Sequence, residues 1–336
     1  MAGGAVSASL RTLVLLLLAI VSSPLAGRRT AAALSTKYYD KKCPGLQPAV
    51  RSAMARAVAA DPRAGASVLR LFFHDCFVNG CDASVLLDDA PAGEKGAAPN
   101  ANSLRGFDVV DAAKAAADSA CGGPGTVSCA DVLALAARDA VSLLGGPSWA
   151  VRLGRLDART ASRDAADALL PGPASNLSSL VASFGAKGLS PRDMTALSGA
   201  HTVGRARCVT FRGRVSGGGD DDPAASIDAG FAAQMRRACP DGADGNNVAP
   251  LDAVTPDRFD NGYFQDLVQR RGLLHSDQQL FGGGGGGSSQ DALVRKYARD
   301  GAAFASDFAK AMVRMGNLAP APGTPLEVRI NCHRPN

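Results

Sequence analysis

The amino-acid sequence predicts an all-α fold in one large domain that follows a short leader. Ala, Leu, Arg and Met dominate the apolar segments, and alternating runs of Val, Ile and Thr are scarce. Ser190-Pro191-Arg192-Asp193 is a helix-start signal, with a proline in the first turn and an acid three residues after the cap. The roughly 300 residues after the leader suffice for one large core or for two lobes.

Segments with helical periodicity recur along the chain, separated by stretches rich in Gly, Pro and Asp. The predicted helices are Gln47 to Ala60, Ala64 to Phe77, Leu104 to Ala120, Cys129 to Leu144, Ser190 to about Ala200, Gly262 to Arg271 and Gly301 to Met315. Residues 217–223 and 282–289 are expected to be surface loops, because glycine-rich runs are too flexible to hold side chains in a fixed geometry.

An apolar run near the N-terminus, Leu13 to Val21, predicts a secretory signal peptide within residues 1–33. The run follows a basic residue and precedes small residues, and it has roughly half of the about 20 apolar residues that a membrane-spanning helix needs. Cleavage near Ala26 and cleavage at residues 31–33 both fit. Residues 34–336 are then expected to form one exported domain without a membrane segment.

The cysteine count and the charge narrow the class of protein further. Eight cysteines in an exported chain predict four disulfides, with about 105 possible pairings. The net charge of +5 is spread along the chain, which gives no case for nucleic-acid binding and allows only loose attraction to acidic polysaccharide. Asn176 begins the sequon Asn-Leu-Ser and is expected to be a glycosylated residue in an exposed loop.

The second predicted helix carries a candidate catalytic pair. Arg70, Phe73 and His74 are spaced i, i+3 and i+4, so they project from one face. An imidazole titrates near neutral pH and can take a proton and return it, while a guanidinium stabilises developing negative charge. Taken alone, a histidine on such a face is more often an ordinary core residue.

The residues around this pair resemble a known family. Residues 70–84 are similar to the distal haem helix and calcium loop of the plant secretory (class III) haem peroxidases, and residues 197–204 to their proximal helix. Further similar motifs lie at residues 39–44, 127–131, 153–157 and 329–332. The resemblance covers nearly all of the chain after residue 34. It implies a two-lobed, all-α fold with haem b between the distal and proximal helices.

The resemblance implies specific roles on the distal side. His74 would be the acid–base residue that cleaves hydrogen peroxide, and Arg70 would stabilise the charge that develops. Asn100 would hold His74 in its basic tautomer, and Phe73 would line the distal pocket. From its local sequence alone, Asn100 could equally be a loop cap.

On the proximal side, the resemblance makes His201 the ligand of the haem iron, supported by a hydrogen bond to Asp277. Pro171 would line the entrance for aromatic donors. The residues alone leave other interpretations open. A histidine at a helix C-terminus is favourable against the helix dipole, Asp277 fits a turn or cap, and Pro171 fits a rigid loop.

The resemblance also implies two calcium sites. The first would use Asp75, Val78, Gly80, Asp82 and Ser84, with Glu94 acting through water, and the second Thr202, Asp252, Thr255, the backbone of Arg258, and Asp260. The close spacing of oxygen donors suits a hard cation, although the first loop does not match an EF-hand and Asp260 could be a helix N-cap. Zinc on His74, Cys76 and Cys81, joined by His201 and Cys208, is the rival; export argues against it because exported thiols oxidise.

Disulfide pairing is likewise implied by the order of the cysteines in the family. The implied bridges are Cys43–Cys121, Cys76–Cys81, Cys129–Cys332 and Cys208–Cys239. The chain departs from the family pattern at residues 122–125, 217–222 and 282–287 and at Leu156. None of these departures falls on a catalytic position, but loops near the haem edge select substrates, so they bear on donor preference.

The expected protein is therefore a monomeric haem peroxidase that reduces hydrogen peroxide and oxidises phenolic donors in one-electron steps, with roles in peroxide removal, oxidative stress and wall phenolics. Only four residues follow Cys332, so no vacuolar-sorting tail is expected, which favours the cell wall or apoplast. The rivals are a hydrolase, which lacks a G-x-S-x-G motif, a haem or calcium binder without turnover, and a disulfide-stabilised wall-binding protein.

Overall fold

The computed structural model describes residues 33–88, 92–216, 226–240, 246–282 and 289–336. The predicted signal peptide, and most of the two predicted glycine-rich loops, lie outside the described residues. Within the described ranges, no helix is both long enough and apolar enough to span a membrane.

Helices dominate the described secondary structure, which confirms the predicted fold class. The α-helices are α1 (Leu46–Ala60), α2 (Arg63–Asn79), α3 (Phe107–Ala120), α4 (Cys129–Leu143), α5 (Arg163–Leu169), α6 (Leu177–Ala186), α7 (Pro191–Ser198), α8 (Arg212–Val215), α9 (Ala229–Ala238), α10 (Gly262–Val268), α11 (His275–Gln278), α12 (Ser289–Arg299) and α13 (Gly301–Met315). Short 3-10 turns cover Ser84–Leu86, Glu94–Gly96, Gly199–Thr202 and Cys208–Thr210.

Two small antiparallel sheets accompany the helices, and the sequence did not predict them. Strand β1 (Asp157–Ala158) pairs with β4 (Leu326–Glu327), and β2 (Arg205–Arg207) pairs with β3 (Val248–Pro250). Strands of two or three residues are too short to produce a period-two pattern.

Several helix ends differ from the predicted positions by one to three residues, and three of them illustrate this. Helix α3 begins at Phe107 and not at Leu104, because Gly106 is left-handed, with φ 89°. Helix α10 ends at Val268, and Arg270 shortly after it has φ 60°. The predicted capping box at Ser190 is present, but α7 ends at Ser198 and a 3-10 turn continues to Thr202.

The main hydrophobic core is built around α4, which packs against both α1 and α2. Every residue from Cys129 to Val141 is buried, so this helix has no solvent-facing side. Its alanines let the neighbouring helices approach closely. A second, smaller core forms around Phe211, Phe231 and Met235, beside the Cys208–Cys239 disulfide.

All four disulfides pair as the resemblance implied, and the described part of the chain has no free cysteine. Cys76–Cys81 closes a short loop at the end of α2. Cys129–Cys332 joins residues 203 positions apart, and such a long loop restricts the unfolded chain strongly. This bridge fixes the C-terminal segment to the start of α4.

A buried carboxylate reinforces that attachment. The Asp157 side chain accepts hydrogen bonds from the backbone N–H groups of Cys129, Ala130 and Arg329, at 3.0, 2.9 and 2.8 Å. Arg329 is wholly buried, and its guanidinium donates to the Ala83 carbonyl oxygen at 2.6 Å. The C-terminal segment is thus tied to α4 and to the loop that follows α2.

Close packing next to His201 depends on a glycine, Gly199. A Cβ on Gly199 would lie 2.6 Å from Phe304 Cζ and 2.9 Å from Phe264 Cε2. We expect Gly199→Ala to destabilise the protein by about 1–3 kcal/mol through overpacking. The measurement is the thermal unfolding midpoint. The control is Gly185→Ala in α6, where a Cβ meets open space. Equal midpoints for both variants would contradict the packing argument.

Candidate active site

The distal histidine is held by a chain of hydrogen bonds. His74 lies on α2 and is buried, and its Nδ1 is 2.6 Å from Asn100 Oδ1. The Asn100 Nδ2 group donates to the Glu94 carbonyl oxygen at 2.8 Å, which fixes the orientation of the amide. Since Oδ1 can only accept, His74 Nδ1 must carry the proton, and Nε2 keeps its lone pair.

Arg70 lies one turn before His74 and contacts the same loop as Asn100. Its guanidinium donates to the Pro99 carbonyl oxygen at 2.9 Å and to Ser103 Oγ at 3.1 Å. Burial, with a smaller contribution from Arg105, lowers the pKa of Arg70 to about 10, so it stays cationic at neutral pH. The sequence predicted the arginine but not the Ser103 contact, which has no recognisable motif.

The same surroundings keep His74 neutral. Burial lowers the pKa of His74 well below its ordinary value, the charge of Arg70 lowers it further, and the hydrogen bond to Asn100 opposes both effects. The site therefore places a neutral imidazole beside a permanent cation at neutral pH. That is the combination needed for accepting one proton while stabilising a new negative charge.

Phe73 forms an aromatic wall next to His74. Its ring centroid lies 5.7 Å from that of His74, 4.7 Å from that of Phe77 and 6.2 Å from that of Phe184. Phe184 belongs to α6, so the wall joins α2 to a helix that the sequence did not predict.

On the proximal side, the structure brings His201 and Asp277 together. His201 Nδ1 is 2.7 Å from Asp277 Oδ1, and Leu274 N–H donates to Asp277 Oδ2 at 3.1 Å. The His201 side chain is 39% exposed, against 3% for Asp277. Among the described residues, His201 Nε2 has no hydrogen-bond partner. An imidazole held at Nδ1 and open at Nε2 fits an axial ligand of haem iron.

Asp277 has a further partner that the sequence did not predict. Tyr263, on α10, donates its hydroxyl to Asp277 Oδ1 at 3.1 Å. Tyr263 is 1% exposed, and its ring meets the His201 ring edge-on, with centroids 6.0 Å apart. No sequence spacing indicates this contact, because residues 201, 263 and 277 meet only through the tertiary fold.

The loop after α2 contains buried oxygen atoms that lack partners. Both carboxylate oxygens of Asp75 and of Glu94, and Ser84 Oγ, are buried without a hydrogen bond in the described part of the chain. Asp82 is also buried, and its Oδ1 accepts from Ser84 N–H at 3.1 Å. Burial is the main cause that raises the pKa of Asp82 to about 6 and the pKa of Glu94 to about 7. Buried, unpaired oxygens fit a hard cation such as calcium.

A lysine contacts the same loop. Lys187 Nζ donates to the carbonyl oxygen of Val78 at 2.8 Å, although the resemblance makes this carbonyl a calcium ligand. A carbonyl oxygen has two lone pairs, so one lysine bond leaves room for a cation. Gly80, whose carbonyl belongs to the same predicted set, has φ 99°, and a Cβ there would meet the backbone of Ala319 at 2.5 Å.

The second predicted set of oxygen donors also converges. Thr202 Oγ1 lies 3.0 Å from Asp252 Oδ2 and 3.3 Å from Asp260 Oδ1, and Thr255 Oγ1 lies 3.2 Å from Asp260 Oδ1. Asp260 Oδ1 also accepts from the first N–H of α10, at 2.8 Å, so the alternative interpretation as a helix cap has support as well. The predicted ligand Arg258 has a largely exposed side chain, and its backbone N–H donates to the Thr255 carbonyl at 3.0 Å.

The zinc alternative is wrong. Cys76 and Cys81 are joined to each other, and Cys208 to Cys239, so none of them can supply a thiolate. Over the described ranges, no three His, Cys, Asp or Glu side chains converge as metal ligands. That finding does not count against calcium, because each predicted calcium set has two direct carboxylates, completed by hydroxyl and backbone oxygens.

Pro171 and Asn176 lie on one segment that is attached to α11. The Pro173 carbonyl oxygen accepts from Ser276 N–H at 3.0 Å, and Gln279 Oε1 accepts from Leu177 N–H at 3.1 Å. As expected, Asn176 is exposed and lies in the loop that ends directly before α6. Its Oδ1 caps α6, where it accepts from Ser179 N–H at 2.9 Å.

These two histidine sites define a class of protein. A neutral distal imidazole beside a guanidinium, and a second imidazole held by a carboxylate, are what a haem peroxidase requires. The family model described as peroxidase matches residues 50–300. The chain therefore belongs to the peroxidase family, and within it to the plant (class III) haem peroxidases.

Individual relatives agree with this assignment. Peroxidase P7 of Brassica rapa subsp. rapa is 52% identical over 307 residues, which cover 90% of this chain and 100% of that protein. Peroxidase 68 of Arabidopsis thaliana is 51% identical over 92% of this chain and 93% of its own length. A lignin-forming anionic peroxidase of Nicotiana sylvestris is 50% identical over 90% and 91%. The protein is a haem-dependent oxidoreductase that uses hydrogen peroxide. This assignment excludes the alternatives of a hydrolase and of a protein without catalytic activity.

Proposed function

We propose that this peroxidase cleaves hydrogen peroxide with His74 and Arg70 and takes single electrons from phenolic donors. The observation that carries the proposal is the chain from His74 Nδ1 through Asn100 to the Glu94 carbonyl, which leaves Nε2 as a proton acceptor beside a cation. Overall, one hydrogen peroxide and two phenols would give two waters and two phenoxyl radicals.

His74 would act twice in each cycle. Its Nε2 would take a proton from one oxygen of hydrogen peroxide and then give it to the other, outer oxygen, which would leave as water, while bound haem would supply the electrons that cleave the bond. Arg70 would stabilise the negative charge on the outer oxygen until that proton arrives. Phe73 would exclude water from the pair and keep the imidazole and the guanidinium at a fixed distance. Asn100 would prevent the ring from turning, because rotation would break its bond with Nδ1.

His201 would hold the haem through Nε2, with Asp277 drawing on the Nδ1 proton and making the ligand electron-rich. Bound haem supplies the iron at which the peroxide bond is cleaved and through which donors lose electrons. Pro171 would line the donor entrance. Its support is the attachment of its segment to α11, the helix that carries Asp277.

Two calcium ions would brace the histidines. The first would be held by Asp75, Asp82, Ser84 and the carbonyls of Val78 and Gly80, with Glu94 acting through water. The second would be held by Thr202, Asp252, Thr255, Asp260 and the Arg258 carbonyl. The unpaired oxygens of the first set and the convergence of the second support this assignment. Each set includes the residue that directly follows a histidine, so each ion would fix one side of the haem.

The setting of the reaction is the remaining part of the proposal. The apolar run at Leu13 to Val21 and the four disulfides support secretion to the cell wall or apoplast. The chain is 50% identical to the lignin-forming anionic peroxidase of Nicotiana sylvestris, and this similarity supports phenolic wall precursors as donors. We further propose a monomer, glycosylated at the exposed Asn176, in loose contact with wall polysaccharide.

Replacing His74 by Leu tests the proton acceptor. We expect the rate of reaction with hydrogen peroxide to fall by about 10²–10⁴-fold, because general acid–base catalysis is lost, while haem stays bound through His201. Stopped-flow absorption gives the rate, and the Soret band gives the haem content. The control is His333→Leu near the C-terminus. An unchanged rate in His74→Leu would remove the acid–base role.

The pH dependence of that same rate tests the electrostatics of the pair. Because the pKa of His74 is lowered, its imidazole stays unprotonated at pH values at which an ordinary histidine takes up a proton. The rate should therefore stay constant until the pH falls well below 6.5. Arg70→Gln removes a charge that lowers the pKa of His74. The acid limb of the pH–rate profile, where the rate falls, should therefore move to higher pH. Arg105→Gln is the control and should leave the limb in place. A limb that moves to lower pH in Arg70→Gln would contradict this account.

Calcium removal tests the two ion sites. Binding only to the folded protein stabilises it by about 2.7 kcal/mol per site at a 100-fold excess over Kd, so chelation should lower the thermal midpoint and added calcium should restore it. Asp75→Asn should lose part of this response, whereas exposed Asp40→Asn should keep all of it. A midpoint insensitive to chelation would overturn the assignment.

A further inference from the structure

Asp277 receives two side-chain donors on one oxygen. His201 Nδ1 lies 2.7 Å from Oδ1, and the Tyr263 hydroxyl donates to the same atom at 3.1 Å. The other oxygen accepts only the backbone N–H of Leu274 among the described residues, at 3.1 Å. The proximal histidine therefore competes with a tyrosine for the charge of a single carboxylate oxygen.

We infer that Tyr263 is a positioning residue that limits how strongly Asp277 draws the Nδ1 proton of His201, and so sets the electron richness of the haem ligand. This inference rests on the proposed function, since it requires His201 to bind the iron.

The burial of the group makes this competition effective. Asp277 is 3% exposed and Tyr263 is 1% exposed, so water does not take the place of either donor. Hydrogen bonds to an ionised acceptor are roughly twice as strong as those between neutral groups, and a low local dielectric strengthens them. A phenol that donates to Oδ1 withdraws charge that would otherwise attract the imidazole proton.

Tyr263 can act only as a donor in this position. Burial raises the pKa of Tyr263 well above its ordinary value, and the neighbouring charge of Asp277 raises it further. An ionised carboxylate has no proton to give, so the phenol must be the donor in this hydrogen bond. Its ring also meets the His201 ring edge-on at an interplanar angle of 88°, which leaves the imidazole little room to tilt.

The consequence for the ligand has a definite sign. Without the phenol, the charge of Asp277 falls more fully on the His201 Nδ1 proton, and the imidazole gains imidazolate character. A more electron-rich axial ligand stabilises ferric over ferrous iron and stiffens the bond from iron to Nε2. Tyr263 would therefore keep the ferric/ferrous potential higher than the histidine–aspartate pair alone would set it.

The test compares Tyr263→Phe with Tyr297→Phe in the haem-loaded protein. Tyr297 is a matched control, because it is also wholly buried and donates its hydroxyl to a carboxylate, Asp307, at 2.7 Å. We expect Tyr263→Phe to shift the ferric/ferrous potential to more negative values and the iron–histidine stretch, measured by resonance Raman, to higher frequency. Tyr297→Phe should leave both unchanged. Equal values in the two variants, or shifts of the opposite sign, would overturn the inference.

Fluorotyrosine labelling provides the second measurement in case Tyr263→Phe fails to fold or to hold haem. A fluorinated phenol is a stronger donor, so labelling all tyrosines should raise the potential, and labelling the Tyr297→Phe protein should raise it equally. No rise in the labelled protein would overturn the inference. Haem binding by the unlabelled, unmodified protein separates the two claims. If that protein binds no haem, the proposed function itself fails. If it binds haem but neither Tyr263→Phe nor the labelled protein shows these shifts, only the role of Tyr263 fails.

Discussion

The hydrogen bond between His74 and Asn100 is the interaction on which the distal site depends. At 2.6 Å it fixes the tautomer of the imidazole, and the amide is in turn fixed by the Glu94 carbonyl. The Glu94 carboxylate is itself buried without a hydrogen bond in the described part of the chain, and after burial the charges of Asp82 and Glu94 raise the pKa of Asp75. Glu94 thus belongs both to the hydrogen-bond chain of the candidate proton acceptor and to the proposed calcium site, so a bound ion and the base would share one support.

The proximal site repeats this arrangement with different residues. His201 is oriented by Asp277, and the next residue, Thr202, belongs to the second group of converging oxygens. In both sites a histidine is followed at once by an oxygen donor of a proposed cation site, Asp75 in one and Thr202 in the other. A cation at either position would hold the backbone next to the working imidazole, where a small displacement is costly.

The sequence predicted the parts whose signals are local, and it missed those that only the tertiary fold creates. The i, i+3, i+4 spacing put Arg70, Phe73 and His74 on one helix face, and the cap at Ser190 placed α7 correctly. The resemblance supplied the partners Asn100 and Asp277, which lie 26 and 76 residues from their histidines. Helices α5, α8 and α11 were missed because they have only seven, four and four residues. Helices α6, α9 and α12, of ten or eleven residues, were missed as well. Tyr263 was missed because its role depends on a contact, and no motif marks it.

The central claim is that His201 binds haem iron while His74 accepts a proton from hydrogen peroxide on the opposite side. The most direct measurement is the absorption spectrum of the purified, oxidised protein before and after equimolar hydrogen peroxide, followed by a phenol. The account predicts a Soret band that shifts on peroxide and returns when the phenol is added. A Soret band that ignores peroxide, or no Soret band even after refolding with haem, would contradict it.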